Sequence, residues 1–314
     1  MDQEKPKVKY RIGNWPEYNQ ALINRGSLTI WFDESSLDCW FASKKPEGPG
    51  HPLVYSNVAI ESLVVLKTVY HLPLRQTQGF FHSILGLLNI DLAVPDYSTI
   101  SRRQKDLSVA LPRRQKDEPL HVVIDASGLK VYGEGEWKVR QHGVSKQRTW
   151  RKIHIGFDET TKEIVACETT YKDRHDKEEL PGLLDQIPEE EEISKVGGDG
   201  GYDYQTVYKA ILDRGGQAVI PPRKNAQIWY FGPMQDRNHA IERIEEIGRK
   251  GWKQESGYHR RSIAENGFYR FKKIFGERLS ARMMPNQKVE VRIKCAVLNR
   301  MAHLGMPDSY PVAA

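Results

Sequence analysis

The order of strand and helix patterns between residues 121 and 220 constrains the fold of this chain more than any other feature. Five β-prone runs are predicted as strands, at residues 121–124, 152–158, 164–171, 195–199 and 217–220. Helical periodicity predicts helices at residues 176–187 and 203–214. The first three strands predict an antiparallel meander, and the whole order indicates an α/β fold with a mixed five-stranded sheet flanked by helices.

The first 115 residues are predicted to be mainly helical. Three helices are expected, at residues 57–70 and 77–88 and after a cap at Asp96 or Ser98. The third carries Arg102 and Arg103, so the arrangement fits a helix-turn-helix whose last helix enters a DNA groove. A small helical bundle with a solvated third helix fits equally well. The polar stretch 111–119, bracketed by prolines, predicts the boundary with the region that follows.

Basic charge is concentrated in particular segments. The net charge is +6 at pH 7, and residues 221–300 hold 18 Lys and Arg against 8 Asp and Glu. This distribution suggests a polyanionic partner. A second basic cluster, which could grip a DNA backbone or form a solvated hairpin, consists of Lys138, Arg140, Lys146, Arg148, Arg151 and Lys152.

Cysteine usage and hydropathy set the expected compartment. The three cysteines are far apart and lack CxxC spacing, so neither a zinc site nor a disulfide framework is expected. No run approaches 18 apolar residues and the first residues lack an apolar signal core. A cytoplasmic protein with no membrane contact is expected.

Two aspartates are predicted at strand ends. Asp125 is expected to end the first strand, and Asp199 the fourth, between pairs of glycines that permit close approach of a backbone or a phosphate. Each also fits an ordinary turn. Asp203 is an alternative to Asp199 as the second functional carboxylate, although Asp203 is better explained as the N-cap of the next helix.

A third carboxylate lies on the predicted helix over residues 258–272. Arg261, Glu265 and Lys272 fall on or near one face of this helix. A solvated helix with an i,i+4 pair gives the same pattern. Together with the two aspartates, however, Glu265 can supply the carboxylate oxygens that Mg²⁺ prefers. Two such ions about 3.5–4 Å apart can promote phosphodiester cleavage.

The spacing around Glu265 is specific. Tyr258, Arg261, Glu265 and Lys272 are separated by two, three and six residues. Asp125 opens the segment DASGLKVYGEGEW, and Asp199 opens DGGYD. In these features, and over about residues 15–305, the sequence resembles the bacterial insertion-sequence DDE transposases of the insertion-sequence-five group.

The resemblance implies a ribonuclease-H-like catalytic domain at residues 116–306, with a short basic insertion at about 221–257, and a DNA-end-binding region at residues 1–115. It implies two Mg²⁺ ions, or Mn²⁺ in their place, held by Asp125, Asp199 and Glu265. Cleavage of the element's ends would be followed by attack of the freed 3′-hydroxyl on target DNA.

The resemblance also implies partners. These are double-stranded DNA, as terminal inverted repeats and as target, and a second copy of the chain on that DNA, in association with the bacterial nucleoid. Tyr258, Arg261 and Lys272 would contact terminal phosphates. Some related groups stack a flipped base on a tryptophan, a role open to Trp229 or Trp252; either ring also fits a structural role.

Two other functions fit the same residues. A metal-dependent nuclease on this fold would cut DNA without joining it. A catalytically silent DNA-binding relative would keep the basic surface and lose a carboxylate, whereas all three carboxylates are present here.

Overall fold

The computed structural model describes residues 9–32, 35–42, 53–114, 118–131 and 150–312. Within the first 106 residues the described elements are mainly helical. They are β1 (Lys9–Ile12), α1 (Trp15–Asn24), α2 (Leu28–Trp31), α3 (Ser35–Asp38), α4 (Asn57–Val69), α5 (Leu74–Leu87) and α6 (Tyr97–Arg103). Asp96 caps α6, since its side chain accepts a hydrogen bond from the backbone N–H of Ser98. Entry of α6 into a DNA groove stays a prediction.

The second part of the chain alternates strands and helices. Its elements are β2 (Leu120–Val131), β3 (Trp150–Asp158), β4 (Ile164–Tyr171), α7 (Asp176–Leu184), β5 (Ile193–Gly197), α8 (Gln205–Asp213), β6 (Gln217–Val219), α9 (Gln235–Glu255), α10 (Ser262–Phe275), β7 (Arg278–Leu279), α11 (Met284–Leu304) and β8 (Ser309–Val312). The strand order is β4-β3-β2-β5-β6. β2, β3 and β4 are antiparallel, and β5 and β6 run parallel to β2. The mixed α/β sheet flanked by helices is therefore confirmed, and it is compatible with a ribonuclease-H-like fold.

The sheet has six strands rather than the predicted five. The sixth, β7, has 2 residues and pairs parallel with the end of β2. Two residues are too few to give a periodic pattern, so the sequence could not predict this strand.

The first strand of the sheet is also longer than predicted. Asp125 was expected to end it, but β2 continues to Val131 and pairs with β3 as far as Lys130 opposite Trp150. Residues 126–128 are small or polar, so the sequence pattern did not indicate that the strand continues. The ladder with β3 supplies the backbone hydrogen bonds of these residues. Asp125 therefore lies within a strand.

The two faces of β2 belong to different cores. Val122 and Ile124 lie in a hydrophobic cluster with α7 and α8. Val123 and Leu129 lie in a larger cluster that includes α10, α11 and buried side chains of α4, α5 and α6. The N-terminal helices thus share one continuous core with one face of the sheet.

The longest helices, α9 and α11, have 21 residues each. Neither these nor any other helix in the described part of the chain is long and apolar enough to cross a membrane. α9 is kinked at Gly248, whose φ of 74° is unfavourable for residues with a side chain.

Gly267 marks a close approach of α10 to the sheet. A Cβ atom at this position would lie 2.3 Å from Cε1 of Phe157. The Phe157 ring is 1% exposed and packs edge-on against Phe268, with centroids 5.7 Å apart, so it has little room to move. We expect Gly267→Val to lower the free energy of unfolding by about 3 kcal/mol, measured by urea denaturation, because the added side chain overpacks this contact.

Gly79 on α5 provides a matched control, since a Cβ atom there would have no neighbour within 4 Å. Gly79→Val should leave stability unchanged or slightly higher. Equal losses in the two variants would contradict the close packing of α10.

Candidate active site

Asp125 and Asp199 lie at the same level of two neighbouring parallel strands. Val123 of β2 is the ladder partner of Gly197 of β5, and each aspartate follows its paired residue by two positions. Because the strands run in the same direction, Asp125 within β2 comes level with the C-terminal end of β5. Asp199 follows two residues beyond that end, so the prediction that Asp199 ends the strand is wrong. Asp199 then caps the 3₁₀ turn Gly200–Tyr202, where its Oδ1 accepts a hydrogen bond of 2.7 Å from the N–H of Gly201.

Close packing around Asp199 leaves no room for side chains at Gly198 and Gly201. A Cβ atom at Gly201 would lie 2.8 Å from Asp199 Oδ1, and one at Gly198 would lie 2.9 Å from Cδ2 of Tyr202. The missing side chains therefore let the turn fold back on the carboxylate. Their expected use in admitting a phosphate stays a prediction.

Arg261 connects the first aspartate to Glu265. The predicted helix over 258–272 begins as a 3₁₀ turn, Tyr258–Arg261, which leads directly into α10. Arg261 Nη1 lies 2.9 Å from Asp125 Oδ2, and Nη2 lies 2.6 Å from Glu265 Oε1. One guanidinium thus bridges two carboxylates that are 140 positions apart in the sequence.

The pKa of Asp125 reflects its burial and the charges of the other two carboxylates. Burial raises the pKa of Asp125, and the charges of Asp199 and Glu265 act in the same direction. The N–H of Ala126, which donates to Asp125 Oδ1 at 2.8 Å, and the Arg261 guanidinium oppose this rise in the pKa. Arg261 contacts two of the three carboxylates, so in this group of four side chains one positive charge faces three negative ones.

The donor set fits a divalent cation. Mg²⁺ takes carboxylate oxygens and keeps several waters, and the missing positive charge of the group would be supplied by such an ion. As the side chains stand, no three His, Cys, Asp or Glu residues in the described part of the chain are arranged to hold a metal ion. Arg261 lies between Asp125 and Glu265, where it satisfies the same oxygens that a cation would need.

We expect Arg261→Ala to bind Mn²⁺ about tenfold more tightly than the unmodified protein, a gain of about 1.4 kcal/mol, because the competing guanidinium is gone. Isothermal titration without DNA measures this affinity. Lys209→Ala is the control, since Lys209 Nζ lies 2.6 Å from Asp213 on α8 and contacts none of the three carboxylates. Unchanged or weaker binding by Arg261→Ala would contradict a competition between Arg261 and the metal.

Tyr258 lies beside the carboxylates. Burial raises its pKa, and the charges of Asp199 and Asp125 contribute to the rise, which Arg261 opposes. Lys272 is half-buried on α10, seven residues after Glu265, beyond the buried Phe268. Contacts of Tyr258, Arg261 and Lys272 with terminal phosphates stay predictions.

The two candidate tryptophans differ in exposure. Trp252 is 5% exposed, and its ring centroid lies 5.9 Å from that of Tyr258. Trp229 is 51% exposed. Base stacking on Trp252 therefore stays a prediction that requires this ring to be uncovered.

The predicted DNA-binding arginines of α6 also differ. Arg103 donates to the carbonyl of Tyr55 at 2.8 Å and to Asn57 Oδ1 at 2.7 Å, so its guanidinium ties α6 to the start of α4. Arg102 is exposed, and its guanidinium reaches Thr99 Oγ1 at 3.4 Å. Of the two, Arg102 has the side chain more available to a partner.

Part of the predicted basic cluster lies outside the described residues, namely Lys138, Arg140, Lys146 and Arg148. The other two members have partners within the chain. Arg151 donates to Gln287 Oε1 at 2.8 Å, and Lys152 lies 2.8 Å from Asp176 Oδ1. These two contacts tie β3 to α11 and α7.

Arg260 was not predicted to have a role. It is paired with Glu159, which is 7% exposed and also paired with His121 on β2. This cluster anchors the Tyr258–Arg261 turn on the face of β2 that carries Asp125. The only sequence signal was the position of Arg260 beside Arg261.

The predicted N-cap role of Asp203 is wrong. α8 begins at Gln205 after Tyr204, and the buried Asp203 carboxylate has other partners. It accepts hydrogen bonds from Arg237 Nε at 2.8 Å, from the Arg223 N–H at 3.0 Å and from the Tyr208 hydroxyl at 3.2 Å. Arg237 is 34 residues away in the sequence, so local spacing could not identify this pairing.

Two protein-family models match the chain, and both are described as "Transposase DDE domain". One matches residues 116–300, which is more than half of the chain and contains Asp125, Asp199 and Glu265. The other matches residues 23–134, which includes α2 to α6 and Asp125.

Proposed function

This chain belongs to the DDE transposase domain family, and we propose that it cuts the ends of an insertion sequence and joins the freed 3′-hydroxyls to target DNA. The observation that supports this most is the ladder of β2 and β5, which brings Asp125 level with the end of β5 that Asp199 follows, together with the Arg261 guanidinium that links Asp125 to Glu265. The Tyr258, Arg261, Glu265 and Lys272 spacing favours the insertion-sequence-five group.

Asp125, Asp199 and Glu265 would hold Mg²⁺ or Mn²⁺ through their carboxylate oxygens. When bound, two such ions activate the attacking oxygen and stabilise the leaving oxygen of a phosphodiester. A strand, a capped turn and a helix carry the three carboxylates, and displacement of Arg261 from Asp125 and Glu265 would free their oxygens for the ions. Arg261 presents a planar fork of N–H donors that matches the oxygens of a phosphate, and Tyr258 and Lys272 would add donors beside it.

The finer assignments follow from this function. Residues 1–115 would bind DNA ends and residues 116–306 would perform catalysis, with Arg102, Arg103 and Trp252 as further DNA contacts. Two protomers would hold two inverted-repeat ends on one DNA, in the bacterial cytoplasm.

The test uses supercoiled plasmid that carries the element's own ends, with Mg²⁺, and compares the unmodified protein with Glu265→Ala. We expect the unmodified protein to cut at the ends and to produce joined products, and Glu265→Ala to bind the ends without cutting. Cutting without joining would indicate a nuclease. Binding without cutting by both proteins would indicate a silent DNA-binding relative, and equal cutting by both would show that Glu265 is not required.

A further inference from the structure

A basic groove lies between the N-terminal helices and the last third of the chain. Its volume is about 710 Å³. One side is formed by the end of α4 and the connection to α5, from Lys67 to Leu74. The other is formed by β7 and the connection to α11, from Arg278 to Met283. The groove is separate from the three carboxylates, none of which lines it.

The charge of the lining favours an anion. Four cations, Lys67, Arg278, Arg282 and Lys294, face a single carboxylate, Glu290. Another groove of similar volume shows the opposite balance. It is lined by Arg113, Arg114, Glu118, Asp158, Glu163, Glu190, Glu191 and Glu192. A basic lining is therefore not a general property of grooves in this chain.

The Glu290 carboxylate is buried and bonded to groups that form the groove. It is 3% exposed and accepts hydrogen bonds from the backbone N–H groups of Ser280 and Ala281, at 3.0 and 2.8 Å. Lys294 Nζ lies 2.9 Å from its Oε1. The carboxylate thus fixes the loop that carries Arg282 and pairs with one of the four cations.

Lys67 is half-buried at the side of the groove. Its Nζ donates to Ser280 Oγ at 3.1 Å, which uses one of three N–H donors. Burial lowers the pKa of Lys67, Glu290 opposes this, and the nearby Lys294 lowers it further. An anion in the groove would offset both the burial and the repulsion.

The position of the groove relates it to the candidate active site. β7 pairs with β2 where Arg278 lies opposite Lys130, five residues beyond Asp125 on the same strand. At about 3.3 Å per residue this is about 17 Å. Since duplex DNA rises about 3.4 Å per base pair, the separation corresponds to about five base pairs.

We infer that this groove holds the phosphate backbone of a DNA duplex, about half a helical turn from the phosphate that meets Asp125. The inference rests on the proposed function for its substrate, and it adds a second place where that substrate is held. Arg282, whose side chain is exposed at the loop between β7 and α11, is the residue whose change tests it with least effect on the fold.

The test compares Arg282→Glu with Lys209→Glu, an exposed residue of α8 whose Nζ pairs with Asp213 at 2.6 Å. The probe is a fluorescein-labelled 30-base-pair duplex of arbitrary sequence, titrated in KCl between about 0.05 and 0.2 M. We expect Arg282→Glu to bind the duplex about tenfold more weakly, and the plot of log K against log[salt] to be less steep by about one, because one phosphate contact is lost. Lys209→Glu should bind as the unmodified protein does. Thermal melting of each variant checks that the fold is retained.

Three outcomes would overturn the inference. Equal binding of the duplex by Arg282→Glu and the unmodified protein would do so, as would equal weakening by both variants. The third is inorganic phosphate binding that is lost in Arg282→Glu while duplex binding is kept, which would assign the groove to a small anion. None of these affects the roles of Asp125, Asp199 and Glu265, whereas failure of the unmodified protein to bind any duplex would count against the proposed function itself.

Discussion

Asp125→Asn is expected to reduce the rate of DNA cleavage with Mg²⁺ by at least about a thousandfold, equivalent to roughly 4 kcal/mol of transition-state stabilisation. Asp125 forms an ion pair with Arg261. Burial and the charges of Asp199 and Glu265 raise its pKa. Asparagine keeps the size of the side chain and can still accept from the N–H of Ala126, but it loses the negative charge. Single-turnover cleavage of plasmid with the element's ends measures the rate.

The substitution should spare DNA binding, because it removes a negative charge from a surface that would approach phosphates. Asp213→Asn, on an exposed ion pair of α8, is the control and should cleave as the unmodified protein does. A cleavage rate for Asp125→Asn within tenfold of the unmodified rate would exclude Asp125 from the chemistry.

Asp203→Ala is expected to lower the free energy of unfolding by about 3–5 kcal/mol, because it leaves the buried Arg237 guanidinium without its carboxylate partner. The side chains of Asp203 and Arg237 are 1% and 10% exposed, so water cannot replace the lost bond. Two further donors, the Arg223 N–H and the Tyr208 hydroxyl, also lose their acceptor. Urea denaturation measures the change.

The double variant Asp203→Ala with Arg237→Met tests the cause, because removing both charges should recover part of the loss. Asp203→Asn separates stability from chemistry. It retains an acceptor at the same place and should still cleave DNA. A folded Asp203→Asn protein without cleavage activity would show that Asp203, rather than Asp199, serves the reaction.

The order of the sheet elements was predictable because each strand or helix from β2 to β6 carries its own local pattern. The apolar runs are short, they are separated by polar turns, and α7 and α8 show helical spacing. The features that the sequence did not predict depend on partners that are distant in sequence. β2 extends past Asp125 because β3 pairs with it, and β7 exists because β2 offers an open edge.

The candidate site shows the same division. The pair of Arg261 and Glu265 follows from i,i+4 spacing, and the structure contains it. The bond from Arg261 to Asp125, across 136 residues, follows only from the fold. A basic residue on an exposed helix can also serve its own fold, as Arg103 does with Tyr55, and spacing alone does not distinguish the two uses.

The most direct test of a shared metal site replaces Mg²⁺ with Fe²⁺ in the presence of ascorbate and hydrogen peroxide. Hydroxyl radicals formed at bound iron cut the polypeptide nearby, and mass spectrometry gives the positions. We predict cuts near Asp125, Asp199 and Glu265 together, suppressed by excess Mg²⁺ and lost in Asp125→Asn. Cuts confined to another acidic segment, such as Glu189 to Glu192, would contradict a metal site formed by these three carboxylates.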